Sequence, residues 1–187
     1  MLIKNLKNFC LITVSGLIIC MSIGFILAGT NAILPGHFAF QFTFYGLFGS
    51  LLYAVLKFSS NRDFIFVGVL FYLFDAILLG QGNPAKFIIH GIYAIFFAGS
   101  IYIYVNMLEQ DTRRLFMSNI LSLSSLVAFA FLMAVLILTI FPKYKFDYSF
   151  LEGQTFMGLL IGFGLGIGFH LYYRFEPKVK LLNDKKA

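Results

Sequence analysis

Charged residues are scarce in this chain of 187 residues: Asp, Glu, Lys and Arg make up 12% of it, whereas 60% of its residues are hydrophobic. A water-soluble globule of this size needs far more polar surface than that composition supplies. The mean hydropathy of +0.89 points the same way. The composition therefore excludes an ordinary soluble domain and predicts a protein embedded in a lipid bilayer.

The sequence also lacks the short motifs that mark the commonest catalytic and metal-binding sites. It has two cysteines, Cys10 and Cys20, which on one helix would lie about 15 Å apart, too far to form a disulfide. Cys-x-x-Cys, His-x-Glu and glycine-rich phosphate loops are absent from it. These absences argue against zinc ribbons, metalloproteases and nucleotide sites. We therefore predict no cofactor and no enzymatic activity, and we leave any metal unassigned.

Apolar runs of the length that crosses a bilayer make up most of the chain. A helix needs about 20 such residues to span a hydrocarbon core of about 30 Å. Six runs qualify, at residues 9–28, 38–58, 64–80, 87–105, 115–141 and 154–173. The first exceeds the roughly 7–15 apolar residues of a signal peptide, so we expect it to be retained. The sequence predicts an all-α fold, a single domain over residues 1–187 that forms a bundle of six transmembrane helices.

The basic residues predict how this bundle is oriented. If the N-terminus is inside, three basic residues fall in outer connections, Lys86, Lys143 and Lys145, and the other 11 of the 14 fall on the inner side. Cytoplasmic connections carry such an excess of Lys and Arg. We therefore predict that both termini are cytoplasmic, that the basic tail at 174–187 lies against anionic headgroups, and that the membrane is the cytoplasmic one. The net charge of +6 then needs no nucleic-acid partner.

Small residues recur at helical spacing in the first and last runs. In lipid, close backbone approach between small residues carries much of the packing between helices. These residues indicate either packing inside the bundle or an interface with another subunit or a second copy. The set is Gly16, Cys20, Gly24, Ala28, Gly158, Gly162, Gly164, Gly166 and Gly168.

Polar side chains gather at the predicted outer ends of the runs. Asp75 lies among apolar residues near the end of the third run, and a charge at the centre of a membrane helix costs at least about 2.5–3.5 kcal/mol. The short connection QGNPA can bring it level with His90. The predicted cluster on this side consists of His37, Gln41, Tyr45, Asp75, His90 and Tyr93.

Three interpretations of this cluster remain open. Asp75 could simply bond a neighbouring helix while the histidines lie at the headgroups. The cluster could instead be an outer pocket for a small polar solute or a cation, with Asp75 as the counter-charge. It could also be a proton relay in which His90 titrates against Asp75.

The stretch VGVLFYLFDAILLGQGNPAKFIIHGI carries a resemblance to a known family. It resembles the third and fourth spans of energy-coupling-factor S-components and of the related rod-shape-determining membrane subunit. The shared features are an early Gly, an Asp near the outer end, Gly80 and the turn into the next run. The resemblance covers about a quarter of the chain. It implies six spans, a pocket for a vitamin or metal ion on the outer side, and a separate coupling protein. In that analogy Gly16, Cys20, Gly24 and Ala28 would contact the coupling protein.

These observations predict a non-catalytic subunit that binds or transports a small solute. The alternative is an interaction subunit that assembles through its glycine faces into an oligomer or a larger complex. A membrane-embedded enzyme is the third possibility, because Ser100 and His170 lie near the inner ends of their runs. The context FAGSIY, however, lacks the Gly-x-Ser-Gly turn of the rhomboid proteases.

Overall fold

The computed structural model is a bundle of α-helices. It describes the backbone of residues 2–30, 35–78, 84–108, 116–140 and 148–184, and side chains within 6–29, 39–78, 87–108, 116–140 and 148–173. The helices are α1 (Leu2–Thr30), α2 (Pro35–Phe58), α3 (Asn61–Leu78), α4 (Pro84–Ile103), α5 (Phe116–Leu138) and α6 (Tyr148–Asp184), and a π-helical turn, Tyr104–Leu108, continues α4. The described residues contain no strand.

Several helix boundaries have local causes. Helices α2 and α4 begin at Pro35 and Pro84, a position where the missing N–H of proline costs nothing. Helix α3 follows a connection of two residues, and its start is capped: the N–H of Asp63 donates to Ser60 Oγ (3.3 Å), and Ser60 Oγ donates to Asp63 Oδ2 (3.0 Å). Ser59 Oγ donates to the same carboxylate. These hydrogen bonds, that from Ser59 foremost, hold the pKa of the exposed Asp63 below its ordinary value.

The helices have the length and composition of membrane spans. Among the described residues, five helical segments are long and apolar enough to cross a bilayer: Leu6–Gly29, Ala39–Phe58, Phe87–Leu108, Phe116–Leu138 and Tyr148–Tyr173. Helix α3 has 18 residues and carries Arg62, Asp63 and Asp75. Large apolar side chains are exposed on the outside of the bundle, Ile95 at 72% and Ile140 at 77% among them. The chain thus has the character of a multi-pass membrane protein.

Five outer helices surround a central α2, and each of them runs antiparallel to the next one in this ring. Helix α2 contacts α1, α3, α4 and α6, and the outer helices follow each other in the order α1, α6, α5, α4, α3. Over the described residues α1 and α3 do not touch each other. We call the end at which α2, α4 and α6 begin the upper end, and the opposite one the lower end.

Two glycine faces of α6 pack against different helices. A Cβ added at Gly162 would lie 2.7 Å from Ser124 Cα on α5, and one at Gly168 would lie 2.5 Å from Gly16 Cα on α1. Gly158 and Gly166 meet α5 in the same way, and Gly164 meets Cys20 on α1. We call these two contacts the glycine seams. Because they put backbone directly against backbone, α6 is held from both sides within the chain.

The small-residue stripe of α1 is also covered within the chain. Gly16 faces Ser50 on α2 as well as α6, and a Cβ at Gly46 of α2 would lie 2.5 Å from Cys20 Cβ. The buried Cys20 thiol is free of disulfide and lies 3.7 Å from the Ile161 carbonyl oxygen, to which it donates. Farther up α1, Gly24 is buried and Ala28 is half-buried.

Aromatic rings fill the centre of the bundle. The ring of Tyr45 on α2 lies 5.5 Å from Phe71 on α3, 5.0 Å from Phe97 on α4 and 5.3 Å from Phe131 on α5, measured between centroids. At the lower end the hydroxyls of Tyr53 and Tyr173 are 2.7 Å apart. Tyr45 thus lies at the boundary between the aromatic core and the polar residues of the upper end.

The helices extend beyond several of the predicted runs. Helix α1 begins at Leu2 instead of residue 9, and α6 begins at Tyr148 instead of residue 154. Helix α6 also continues through most of the predicted tail, to Asp184, whereas α5 is shorter than its run and ends at Leu138. Hydropathy marks the part of a helix that suits lipid, and polar turns at either end are invisible to it.

Candidate functional site

Asp75 and His90 form a buried pair between α3 and α4. Asp75 lies near the upper end of α3 and its side chain has no exposed surface, whereas that of His90 on α4 is 16% exposed. His90 Nδ1 and Asp75 Oδ2 are 2.8 Å apart. This contact exists because the antiparallel hairpin of α3 and α4 brings the end of one helix level with the start of the other.

Three polar residues lie at one depth on three helices. Gln41, His90 and Gln154 each stand six residues after the first residue of their helices, α2, α4 and α6. A helix rises 1.5 Å per residue, so each lies about 9 Å below its helix start. Since these three helices begin at the same end of the bundle, the polar residues form one layer in its upper third.

A cavity of about 200 Å³ lies at this layer and is partly open. Its wall includes the three polar residues of the layer and, roughly one turn lower, Tyr45 and Tyr93. Apolar side chains complete it. The full lining is Gln41, Tyr45, Ile89, His90, Tyr93, Phe150, Gln154 and Met157.

Two buried polar atoms at or behind the cavity wall, the Tyr93 hydroxyl and Asp75 Oδ1, have no hydrogen bond within the part of the chain that the structure describes. A third such atom, Ser124 Oγ, lies on α5 beside Gly162. A buried polar group without a partner typically costs about 1–3 kcal/mol, so such groups are rare in a finished core. Two of the three lie at the cavity or directly behind its wall.

The structure brings most of the predicted cluster together. Gln41, Tyr45, His90 and Tyr93 line one cavity, and Asp75 lies behind its wall and contacts it through His90. Asp75 therefore does not line the cavity, and it would not contact a bound cation directly as the predicted counter-charge would. His37 falls in the first turn of α2, and its side chain lies outside the described residues.

Sequence reasoning missed the contribution of α6. Phe150, Gln154 and Met157 line the cavity, yet the hydropathy pattern makes Gln154 the edge of the last run, a position typical of an interfacial residue. Gln154 lies six residues after the start of its helix, as Gln41 and His90 do, and this shared spacing would have predicted that it lies at their level. That start at Tyr148 lies outside the hydrophobic run.

The residues considered for a hydrolase have other structural contacts. Ser100 Oγ is buried and donates to the Phe97 carbonyl oxygen at 2.7 Å. His170 packs against the ring of Phe116, with 3.9 Å between the centroids. Within the described ranges, no three His, Cys, Asp or Glu side chains gather as a metal site would require. The arrangement at the upper cavity can bind through hydrogen bonds and aromatic contact.

Comparison of the chain with protein-family models, curated proteins and solved structures gives no match. The site must therefore be interpreted from its own geometry.

Proposed function

We propose that this protein is a non-catalytic membrane subunit that binds a small polar solute in its upper cavity and presents it for transport. In this proposal the chain crosses the cytoplasmic membrane six times with both termini inside, and the cavity faces outward. The observation that carries the proposal is the convergence of Gln41, His90 and Gln154 from three helices on one cavity of about 200 Å³.

The orientation is supported by the positions of the basic residues. Lys57 and Arg62 flank the connection between α2 and α3 at the lower end. Under the positive-inside rule the lower end is cytoplasmic. Helix α3 completes the count of six: its 18 residues rise about 27 Å, close to the thickness of the hydrocarbon core. Its one deeply placed charge, Asp75, is paired with His90.

The kind of site also supports binding. Ligand pockets are concave and mostly apolar, with a few convergent polar groups, and the cavity has this composition. Its volume of about 200 Å³ suits a small solute. A solute that bonds to these groups would offset the cost of leaving them without partners.

The resemblance to S-components extends the proposal to a partner. Such a subunit would bind the solute outside and depend on a separate coupling protein and ATPases for transport. Gly16 and Cys20 are covered by α2 and α6, so a coupling partner would have to contact another surface of this chain.

The alternative of an assembly subunit draws less support. Gly158, Gly162 and Gly166 are packed against α5, and Gly164 and Gly168 against α1. Glycines occupied in this way offer no surface to a second copy or another subunit. An oligomer of this chain would therefore be built from other residues.

A binding screen tests the proposal. The purified protein in lipid nanodiscs would be melted in the presence of pooled small polar solutes. We expect one solute to raise the melting temperature saturably; at 100 times its Kd the stabilisation amounts to about 2.7 kcal/mol. The effect should be lost in Gln41→Leu and Gln154→Leu, which remove polar groups from the cavity wall.

The matched control is a pair of tyrosine variants. Tyr93→Phe removes a hydroxyl at the cavity, and Tyr102→Phe removes one from a side chain that is 40% exposed on the same helix. Binding should weaken in the first variant and stay unchanged in the second. If no solute stabilises the protein, or if stabilisation survives in Gln41→Leu/Gln154→Leu, the proposal is wrong.

A further inference from the structure

We infer that the solute is a small uncharged molecule with a carbonyl oxygen, held by an N–H that His90 presents to the cavity through its Nε2. The inference rests on the proposed function and specifies its ligand. It follows from the proton count of the buried Asp75 and His90 pair and from the donors that surround the cavity.

The first step is the net charge of the pair. Asp75 is fully buried and His90 is mostly so, in a part of the bundle that would lie within lipid. An uncompensated charge there is costly, so the pair is most stable when its net charge is zero. Two proton arrangements give zero: an imidazolium beside a carboxylate, or a neutral imidazole beside a protonated carboxyl.

The second step is that both arrangements leave the same nitrogen protonated. In the imidazolium both ring nitrogens carry hydrogen. In the neutral arrangement the carboxyl proton lies on Oδ2 and is donated to Nδ1, because a proton on Oδ1 would find no acceptor within the described part of the chain; the single ring hydrogen is then on Nε2. Since His90 lines the cavity and its Nδ1 is engaged by Asp75, Nε2–H is the group left for a ligand.

The other polar groups of the cavity can donate as well. The hydroxyls of Tyr45 and Tyr93 and the amides of Gln41 and Gln154 each carry a donor, and within the described residues the Tyr93 hydroxyl is buried without a hydrogen bond. A ligand with a strong acceptor can therefore engage several of them at once. A carbonyl oxygen has two lone pairs and suits such a set.

Charge excludes the ionic versions of such a ligand. Among the described residues no Lys or Arg lines the cavity, so a carboxylate would lose its hydration without a counter-charge and would lie near Asp75. A cation would face the Nε2–H of His90, which repels it. The rings of Tyr45, Tyr93 and Phe150 leave room for an apolar or flat body beside the carbonyl.

The proton on Nε2 can be observed without any ligand. The chain has three histidines, so nitrogen-15 labelling of histidine gives few signals, and His90→Gln identifies those of residue 90. We expect Nε2 of His90 to show a directly bonded hydrogen at neutral pH. If Nε2 is unprotonated and the hydrogen is on Nδ1, the cavity presents an acceptor and the inference is overturned.

The ligand class is tested with matched probes. Benzamide, benzoate and benzamidinium share one shape and differ in charge, and isobutyramide, isobutyrate and isobutyramidinium repeat the comparison without a ring. We expect an amide to bind at least tenfold more tightly than its carboxylate and amidinium partners, by calorimetry in nanodiscs. Tyr93→Phe should weaken it about threefold to tenfold, and Tyr102→Phe should leave it unchanged.

The outcomes separate this inference from the proposed function. Preferred binding of a carboxylate or an amidinium that is lost in Gln154→Leu overturns the ligand class and leaves the solute-binding function standing. Failure of all six probes also overturns the ligand class. If the solute screen likewise finds no ligand, the proposed function fails with it.

Discussion

The two ends of the α6 segment between Phe150 and Gly168 are packed in opposite ways. From Gly158 to Gly168 the helix touches α1 and α5 backbone to backbone, and added side-chain atoms would overlap them. From Phe150 to Met157 long side chains face a cavity instead. Residue size along one helix therefore separates a closely packed seam from a cavity.

The two parts also differ in their hydrogen bonds. Beside the seams, the hydroxyl of Ser15 on α1 donates to the Gly168 carbonyl oxygen at 2.9 Å, and Cys20 donates to the Ile161 carbonyl oxygen. Within the part of the chain that the structure describes, three buried polar atoms have no partner: Ser124 Oγ beside Gly162 at the seam, Asp75 Oδ1 and the Tyr93 hydroxyl. Of these three residues, Tyr93 is the one that lines the cavity.

The largest effect is expected from breaking the pair behind the cavity. His90→Leu leaves the Asp75 carboxyl buried without its partner, and breaking a buried pair in this way costs about 3–5 kcal/mol. The double variant Asp75→Leu/His90→Leu removes both polar groups and should recover most of that loss. Unfolding of both proteins in mixed micelles measures the difference. Equal stability of the single and double variants would contradict the pairing.

A slightly smaller effect is expected at the seam between α1 and α6. Gly168→Ala places a Cβ against the Gly16 backbone, and overpacking of this kind typically costs about 1–3 kcal/mol. The matched control is Gly99→Ala, because nothing lies within 4 Å of a Cβ at Gly99. It should be neutral or stabilise α4 by up to about 1 kcal/mol. The melting temperatures of the two variants measure the difference. An equal fall in melting temperature in both would show that the contact between α1 and α6 does not cause the loss of stability.

At the cavity a substitution should affect binding far more than stability. Gln154→Leu removes an amide that has no hydrogen bond to another described side chain, so the free energy of unfolding should change by no more than about 0.5 kcal/mol. The proposed solute should no longer bind. A melting curve and a binding isotherm on the same preparation measure both quantities. A large loss of stability would mean that Gln154 belongs to the packed region.

The smallest effect is expected at the capped start of α3, which belongs to neither region. Hydrogen bonds from Ser59 and Ser60 lower the pKa of Asp63, so this group stabilises the folded state when the pH is above its unfolded value of about 4. That contribution should disappear as the pH falls through the lower folded pKa. The difference in melting temperature between the natural chain and Asp63→Asn, followed against pH, isolates it. A difference that does not shrink in acid would contradict the cap.

The helical, membrane-like character of the chain follows from composition and hydropathy, because lipid admits few other solutions. The contact of Asp75 with His90 could also be predicted from the sequence, since a short connection places the ends of two helices at one level. The position of Gln154 in the cavity wall could not be predicted, because it depends on where α6 begins. That start lies in a polar stretch that hydropathy does not mark. Nor could spacing alone tell whether Gly162 packs inside the chain or against a partner; that choice depends on which helix lies beside it.

The contact between Gly16 and Gly168 also has a consequence for biosynthesis. It joins α1 to α6, which follows α2, α3, α4 and α5 along the chain. During synthesis, which proceeds from the N-terminus, α1 can contact α2 early, but α6 becomes available to it only after the helices between them. The seam between α1 and α6 therefore cannot close before α6 has been made. A chain interrupted before α6 would leave the α6-facing side of Gly16 and Cys20 uncovered, whereas α2 would still cover their other side.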